Sequence, residues 1–350
     1  MLRATYKKYL LQFKKPAGTS RGIILNKESW FILITDDGTP DIQGVGECSV
    51  IKGLSLDDRP GLGDKINDVC RDIAVFQDDR QHSLSDWPAI RAGIEMAFTD
   101  LKNGGTRILF PSSFTAGIDS IPNHGLIWMG KPHDMLEQIE KKINEGCRVI
   151  KMKVGALDFD EELNLIRTVR NHYPTRDISI RLDANGAFSP DEALSRLEKL
   201  AVFDIHSIEQ PVRQGQLKAM ADICRHSPIA VALDEALTGV NKPEEKRELL
   251  ETIRPHFLVL KPSLLGGFRA SEEWIEMAGN LKIGWWVNSA LESNIGLNAI
   301  AQWTATLNNP LVQGLGTGSL FTNNFPSPLT VEKGALKYNP QFQWDLSALQ

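Results

Sequence analysis

Between Lys151 and Lys261 the chain reads Lys151-Met152-Lys153, Asp183-Ala184-Asn185, Ile208-Glu209-Gln210-Pro211, Leu233-Asp234-Glu235-Ala236 and Leu260-Lys261-Pro262-Ser263, each at the end of a short apolar run. The steps are 30 residues (153 to 183), 26 (183 to 209), 25 (209 to 234) and 27 (234 to 261). One strand plus one helix of a (β/α)8 barrel takes about that length, roughly 250 residues over eight units. A polar or charged group at the end of five successive strands is how the C-terminal mouth of such a barrel reads in sequence.

The alternation extends outward from this stretch. Strands are expected at 125–129, 149–154, 178–183, 205–209, 229–234, 257–261, 284–289 and 312–315, with helices such as 133–145 and 159–172 between them. Ser189, Pro190 and Glu192 predict a capping box at the start of another helix. Such alternation implies a parallel sheet, and the absence of a GxGxxG after an early strand argues against an open dinucleotide-binding sheet. Upstream the pattern changes. Residues 2–13 predict a strand, 14–22 a loop broken at Pro16-Ala17-Gly18, and 23–34 a second strand. Asp36-Asp37-Gly38 marks a turn, and a Gly-rich loop spans 52–63. Helices are expected at 66–76 and 89–101, the second with Ile90, Ile94, Ala97, Phe98 and Leu101 on one face. The expected fold class is α/β, a (β/α) barrel preceded by an α+β domain over residues 1–120.

The bulk properties fit a reduced cytoplasmic enzyme. The chain has 350 residues, 42% of them hydrophobic, and a net charge of −5. That balance favours neither nucleic acid nor an anionic membrane, and no apolar run is long enough for a span. Four cysteines (Cys48, Cys70, Cys147, Cys224) form no CxxC and read as core fillers in a reducing compartment. Residues 1–27 are basic, but the alternation of Tyr9, Leu11 and Phe13 reads as a strand rather than a transit peptide.

Residues i and i+2 of a strand share a face. Lys151 and Lys153 are therefore paired on one face, as are Arg181, Asp183 and Asn185. Asp183, Glu209 and Asp234 come from three consecutive strand ends. Converging carboxylates repel one another unless a cation joins them, and an all-oxygen set favours Mg²⁺ or Mn²⁺ over Zn²⁺. Lys153 and Lys261 would face each other across that ion. A lysine base needs its pKa lowered by about three units, toward which a second lysine, a cation and a dry site all push. A metal beside a lysine base suits removal of a proton α to a carboxylate.

These motifs together resemble the enolase superfamily, in its muconate-lactonizing branch. The resemblance covers nearly the whole chain and implies a modified (β/α) TIM-type barrel over residues 121–325, a capping domain with mobile loops over 1–120, and a C-terminal segment, 326–350, returning to the cap. It implies Lys153 and Lys261 as the acid/base pair and Asp183, Glu209 and Asp234 as Mg²⁺ ligands, with Lys151, Arg181, Asn185, Ser289 and Gly316 supporting them or the substrate. Asn288–Ser293 and Gly314–Gly318 look most like the o-succinylbenzoate synthase family of menaquinone biosynthesis. Gly316-Thr317-Gly318 lacks the Asp-x-Asp with which many dipeptide epimerases of the branch hold an ammonium group. The implied reaction is a Mg-dependent syn dehydration of 2-succinyl-6-hydroxy-2,4-cyclohexadiene-1-carboxylate, with Lys153 taking the α proton and an enediolate held by the metal. The basic 14–21 loop and the 52–63 loop would close over the mouth. The partner expected is a small carboxylate, not nucleic acid or membrane, and self-association is compatible with the sequence. The rival readings are an N-acylamino acid racemase or epimerase, a muconate cycloisomerase, and a non-enzymatic scaffold. Trp285-Trp286 reads as packing, and His206 and His256 as remote from the chemistry.

Overall fold

The structure, a computed structural model, describes residues 1–19, 22–77 and 83–349. Strands β1 (Leu2–Thr19), β2 (Gly22–Asp36) and β3 (Thr39–Ser49) form an antiparallel sheet in that order. Of the stretch expected to be a loop at 14–22, residues 14–19 instead belong to β1 and residue 22 to β2. Pairing resumes at Ala17 opposite Ile24, after an irregularity between Gln12 and Ala17. Pro16 is tolerated there because it falls in the irregular stretch, where the ladder needs no N–H from it. The hairpin is fastened to the far end of the chain: Thr322 N donates to Gln12 O at 2.8 Å, and the Phe13 and Phe321 rings lie 4.7 Å apart. Arg21, expected in the basic 14–21 loop, lies outside the described residues.

The expected helix at 66–76 begins at Leu62. It ends at Arg71 (α1, Leu62–Arg71) and is followed by a 3₁₀ turn, Ile73–Phe76. Helix α2 (Pro88–Lys102) is buried on two sides. Ile90, Ile94 and Ala97 pack with Ile32, Ile34, Cys48 and Ile66, whereas Ala92 and Met96 belong to the barrel core. Gly46 and Gly93 permit the close crossing of β3 over α2, since a Cβ on Gly46 would overlap the Gly93 carbonyl.

The start of α2 is capped from the loop between β3 and α1. Asp57 accepts from Ala89 N at 3.0 Å and Ile90 N at 3.3 Å while fully buried. Burial pushes its carboxyl up from 3.8 to about 6, against the pull of those amides. The folded chain therefore holds a proton that the unfolded chain loses. This contribution to stability is complete below about pH 4 and is lost as the pH rises through about 6. Asp57→Asn is expected to gain stability relative to wild type between pH 4 and pH 7, by on the order of 3 kcal/mol. Thermal melts across that range check this, and a gap that does not change with pH would contradict it.

After a short strand, β4 (Ser120–Pro122), the barrel is laid down in order: β5 (Gly125–Ile127), α3 (Pro132–Asn144), β6 (Val149–Lys153), α4 (Phe159–His172), β7 (Ser179–Asp183), α5 (Pro190–Ala201), β8 (Ile205–Glu209), α6 (Leu217–His226), β9 (Val231–Leu233), α7 (Pro243–Ile253), β10 (Phe257–Leu260), α8 (Pro262–Leu265), α9 (Phe268–Asn280), β11 (Gly284–Val287) and α10 (Asn294–Thr306). Strands β5 to β11 form one parallel sheet in sequence order. The eighth strand expected at 312–315 makes only single bridges, Gln313 to Asn123 and Gly314 to Asn288. They lie beside the two edge strands and close the sheet: His124 N donates to Gln313 O at 2.9 Å, and Ser289 N to Gly314 O at 3.0 Å. The capping box at Ser189 does not form. Its side chain makes no cap bond, and Glu192 pairs instead with Arg196 at 3.1 Å.

Beyond α10, β12 (Leu329–Glu332) and β13 (Ala335–Tyr338) form a hairpin whose second strand pairs with β4. Trp344, Leu346 and Leu349 then pack with Phe31, Leu33 and Val45 of the N-terminal sheet. All four cysteines are buried free thiols; burial raises Cys224 to about 12. Among the described residues, no helix is long and apolar enough to cross a membrane.

Candidate active site

Strand register assembles the site. Parallel pairing sets Lys151 beside Arg181 and Lys153 beside Asp183. Between β7 and β8 the register shifts once, after Ile180 opposite Ile205, so that Arg181 meets Ser207 and Asp183 meets Glu209. Unbroken pairing would have set Ile208 beside Asp183. Because strand side chains alternate faces, this one-residue shift decides whether Glu209 points inward. Asp234 follows β9 and Lys261 follows β10, each on the first residue past its strand.

The side chains form one network. Lys151 Nζ lies 2.6 Å from both Glu209 oxygens and 3.0 Å from Asp183 Oδ2. Lys153 donates to Asp183 Oδ2 at 3.1 Å and to Asn185 Oδ1. Lys261 donates to Asp234 Oδ2. Asn185, in a left-handed backbone conformation (φ 44°), donates to Glu235 Oε1 at 2.9 Å. The turn after β9 is held by Gln210, whose Oε1 accepts from Asp234 N (3.2 Å) and Ala236 N (3.1 Å).

Lys151, Asp183, Glu209 and Asp234 are all buried. Burial works against the Lys151 charge, but Asp183, Glu209 and Asp234 overcome it and hold the lysine above its usual range. Lys261 is likewise raised despite burial, chiefly by Asp234. Burial also opposes charge on Asp183, yet Lys151, Lys153 and Lys261 hold that carboxyl well below the usual range. Glu209 is pushed up by burial and then by Asp183. Carboxyl groups outnumber the lysines: Asp183, Glu209, Asp234 and Glu235 face Lys151, Lys153 and Lys261, four against three, and burial raises both Glu209 and Glu235.

Among the described residues, no three His, Cys, Asp or Glu side chains close around one point as a metal would require. The Lys151 and Lys261 ammonium groups sit against the carboxylates instead. The donor set nevertheless fits a hard divalent ion. It is all oxygen and buried, and a divalent ion would relieve the repulsion that raises Glu209 beside Asp183.

The remaining candidates lie apart from this network. Arg181 is one layer deeper, with its guanidinium 4.0 Å over Trp286 and Nη1 donating to Val312 O at 2.8 Å. Burial pulls it down to about 10, partly offset by Glu209. Trp286 packs with Ala232 and Val259 on the barrel floor, beside His206, whose imidazole is pushed down to about 4 by burial and by Arg181. The Ser289 hydroxyl is turned into the protein. It donates to Glu292 at 2.5 Å and accepts from Thr317 at 2.7 Å. Gly316 faces open space, where a Cβ would meet nothing within 4 Å.

A cavity of about 550 Å³ opens between the hairpin and the ends of β5 and β6, lined by Gly18, Ile23, Met129 and Lys153 among others. A second, of about 560 Å³, lies between the cap and the loop after β11, where Lys27, Lys52, Arg59 and Leu291 meet. Of the basic residues expected in a flap, Lys52 therefore lines a cavity, and Lys14 and Lys15 line neither. Lys27, Gln210, Glu235 and Glu292 are not among the candidates the sequence singles out. Gln210 and Glu235 stand next to Glu209 and Asp234, and Glu292 lies within the Asn288–Ser293 stretch; Lys27 carries no local signal.

Residues 134–341 match the family described as enolase C-terminal domain-like. The o-succinylbenzoate synthase of Desulfotalea psychrophila is 44% identical, over 96% of this chain and 98% of its own length. A crystal structure of MenC from the same organism superposes with a TM-score of 0.85 at 41% identity, covering 96% of this chain and 99% of that one. At 18% identity, the dipeptide epimerase of Enterococcus faecalis, solved with Mg and a dipeptide, shares the fold, with a TM-score of 0.84 over 96% of each chain. The domain match and the full-length similarity agree with the strand-end motifs, and the chain belongs to the enolase superfamily.

Proposed function

We propose that this chain is an o-succinylbenzoate synthase, which dehydrates 2-succinyl-6-hydroxy-2,4-cyclohexadiene-1-carboxylate to 2-succinylbenzoate in menaquinone biosynthesis. The observation that carries the reading is 44% identity, along nearly the full length of both chains, to a protein of that activity. Two lysines on well-separated strands, each bonded into one carboxylate cluster, supply the chemistry it needs.

In this reading Asp183, Glu209 and Asp234 hold a divalent cation, Mg²⁺ or Mn²⁺, which when bound supplies positive charge beside the substrate carboxylate. Lys153 in its neutral form takes the proton α to that carboxylate. The C–H electrons enter the ring and form the new double bond as the C–O bond breaks. In a syn elimination the leaving hydroxyl lies on the Lys153 face, so the protonated lysine can return its proton and release water. Lys261 lies on the opposite face, where its ammonium stabilises developing negative charge. Asp183 and Asn185 orient Lys153, and Asp234 orients Lys261.

The test is ultraviolet-monitored turnover of the cyclohexadiene carboxylate with Mg²⁺ and with EDTA. Rapid turnover that EDTA abolishes is expected. No turnover with cation bound would sink the synthase reading. Deuterium uptake from solvent into both enantiomers of an N-succinyl amino acid would then identify a racemase.

A further inference from the structure

Neither α9 nor α10 of the barrel satisfies all its N-terminal amides with its own side chains. Helix α9 has Gly267 at its cap position and no side-chain cap of its own. Its first two amides are met instead from α2 of the N-terminal domain: Glu95 accepts from Phe268 N at 2.6 Å and from Arg269 N at 3.1 Å. A side chain at position 267 would collide with that carboxylate. Helix α10 is met from β3. Glu47 accepts from Ser293 N at 3.0 Å, Gly296 N at 3.0 Å and Ser293 Oγ at 2.5 Å. Ser293 Oγ takes Ile295 N and Asn324 takes Asn294 N, so every amide of the first turn is satisfied. Glu47 is fully buried.

Two separate elements of the cap thus each deliver a carboxylate to a helix N-terminus, where backbone dipoles favour negative charge. Both helices adjoin the chemistry. Lys261 leads through α8 into α9, and Ser289 leads through the rim loop into α10. The loops are cross-linked: Glu292 accepts from Ser263 Oγ at 2.6 Å and from Ala290 N at 2.8 Å, and Ser49 of the cap donates to Ala290 O at 3.2 Å. Within the rim loop Leu291 has φ 60°, a strained conformation for this residue that persists only where its surroundings enforce it.

We propose that Glu47 and Glu95 are positioning residues. They cap α10 and α9 across the domain interface, and so hold the rim loop and Lys261 in place opposite Lys153. This rests on the function proposed above for its kinetic arm only.

The experiment compares Glu47→Ala and Glu95→Ala with Glu47→Gln and Glu95→Gln, using Leu197→Ala, a core change in α5, as the control for lost stability. Two readouts are taken below every melting temperature. In amide hydrogen exchange, Glu95→Ala should lose protection at Phe268 and Arg269 and onward at Leu264. Glu47→Ala should lose it at Ser293 and Gly296 and onward at Ser289. Strands β6 to β8 should stay protected in both. In turnover, kcat should fall about 10- to 100-fold with KM changed less than about threefold, as for a displaced catalytic group. The Gln variants, which keep one acceptor oxygen, should recover part of both effects. Loss of protection confined to the helix ends, or a kcat equal to that of Leu197→Ala, would overturn the proposal. If the Ala variants do not fold, the Gln variants decide by the same criteria at smaller amplitude. If the wild type fails to turn over the cyclohexadiene, the synthase reading falls, and the exchange arm, which needs no substrate, still decides this one.

Discussion

Lys153→Ala is expected to fold normally and to turn over the cyclohexadiene carboxylate about 10³- to 10⁴-fold more slowly than wild type, the upper range for loss of a positioned general base. The fold should survive because the Lys153 side chain is not fully buried, and its partner Asp183 keeps Lys151 at 3.0 Å. The adjacent lysine on the same face gives the contrast. Lys151 is buried between Asp183 and Glu209. Removing one partner of such a buried pair costs about 3–5 kcal/mol, so Lys151→Ala should lower the melting temperature by several degrees before activity is considered. Paired melts and ultraviolet assays separate the two lysines. Retention of a tenth of wild-type kcat in Lys153→Ala would remove this residue from the role of base.

The second large effect concerns the cation. Mg²⁺ at 100 times its dissociation constant should stabilise the wild type by about 2.7 kcal/mol, roughly 4 °C for a chain of this length. EDTA should reverse the shift, and Glu209→Gln should abolish it. Without the cation, Glu209→Gln should melt close to wild type. Burial and the neighbouring Asp183 already disfavour a charge at this position, and Lys151 retains Asp183. A melt that rises with Mg²⁺ in Glu209→Gln as it does in wild type would exclude Glu209 as a ligand. A large loss of stability without the cation would mean that the Lys151 pair, rather than metal binding, is the reason for the carboxylate.

Much of the barrel was legible because its signals are local. Apolar runs of strand length, separated by helical periods, locate β6 to β11 within a few residues, and Ile205–Glu209 coincides with its expected span. The errors fall where a distant segment decides the outcome. Residues 14–22 read as a loop because Pro16 and Gly18 are turn residues, but Ala17, Gly18 and Thr19 pair with β2. Ser189 and Glu192 have capping-box spacing, but Arg196 takes the glutamate. Residues 312–315 look like a strand and supply only the bridges that close the ring.

For the candidate site, the sequence by itself determined which groups are available and that strand ends carry them: Lys151 and Lys153 share a face because strand side chains alternate, and Asp183, Glu209, Asp234 and Lys261 each end an apolar run. Only the tertiary structure decided which carboxylates meet. The register shift at Ile180 brings Glu209 rather than Ile208 beside Asp183, and a shift between strands is a property of the pair, not of either segment. The same holds for Glu47 and Glu95. Each reads as an ordinary charged residue in its own element, and its partners lie 246 and 173 residues away. Periodicity reports what a residue does for its own strand or helix. It carries no record of a contact made across the chain, and those contacts join the cap to the barrel.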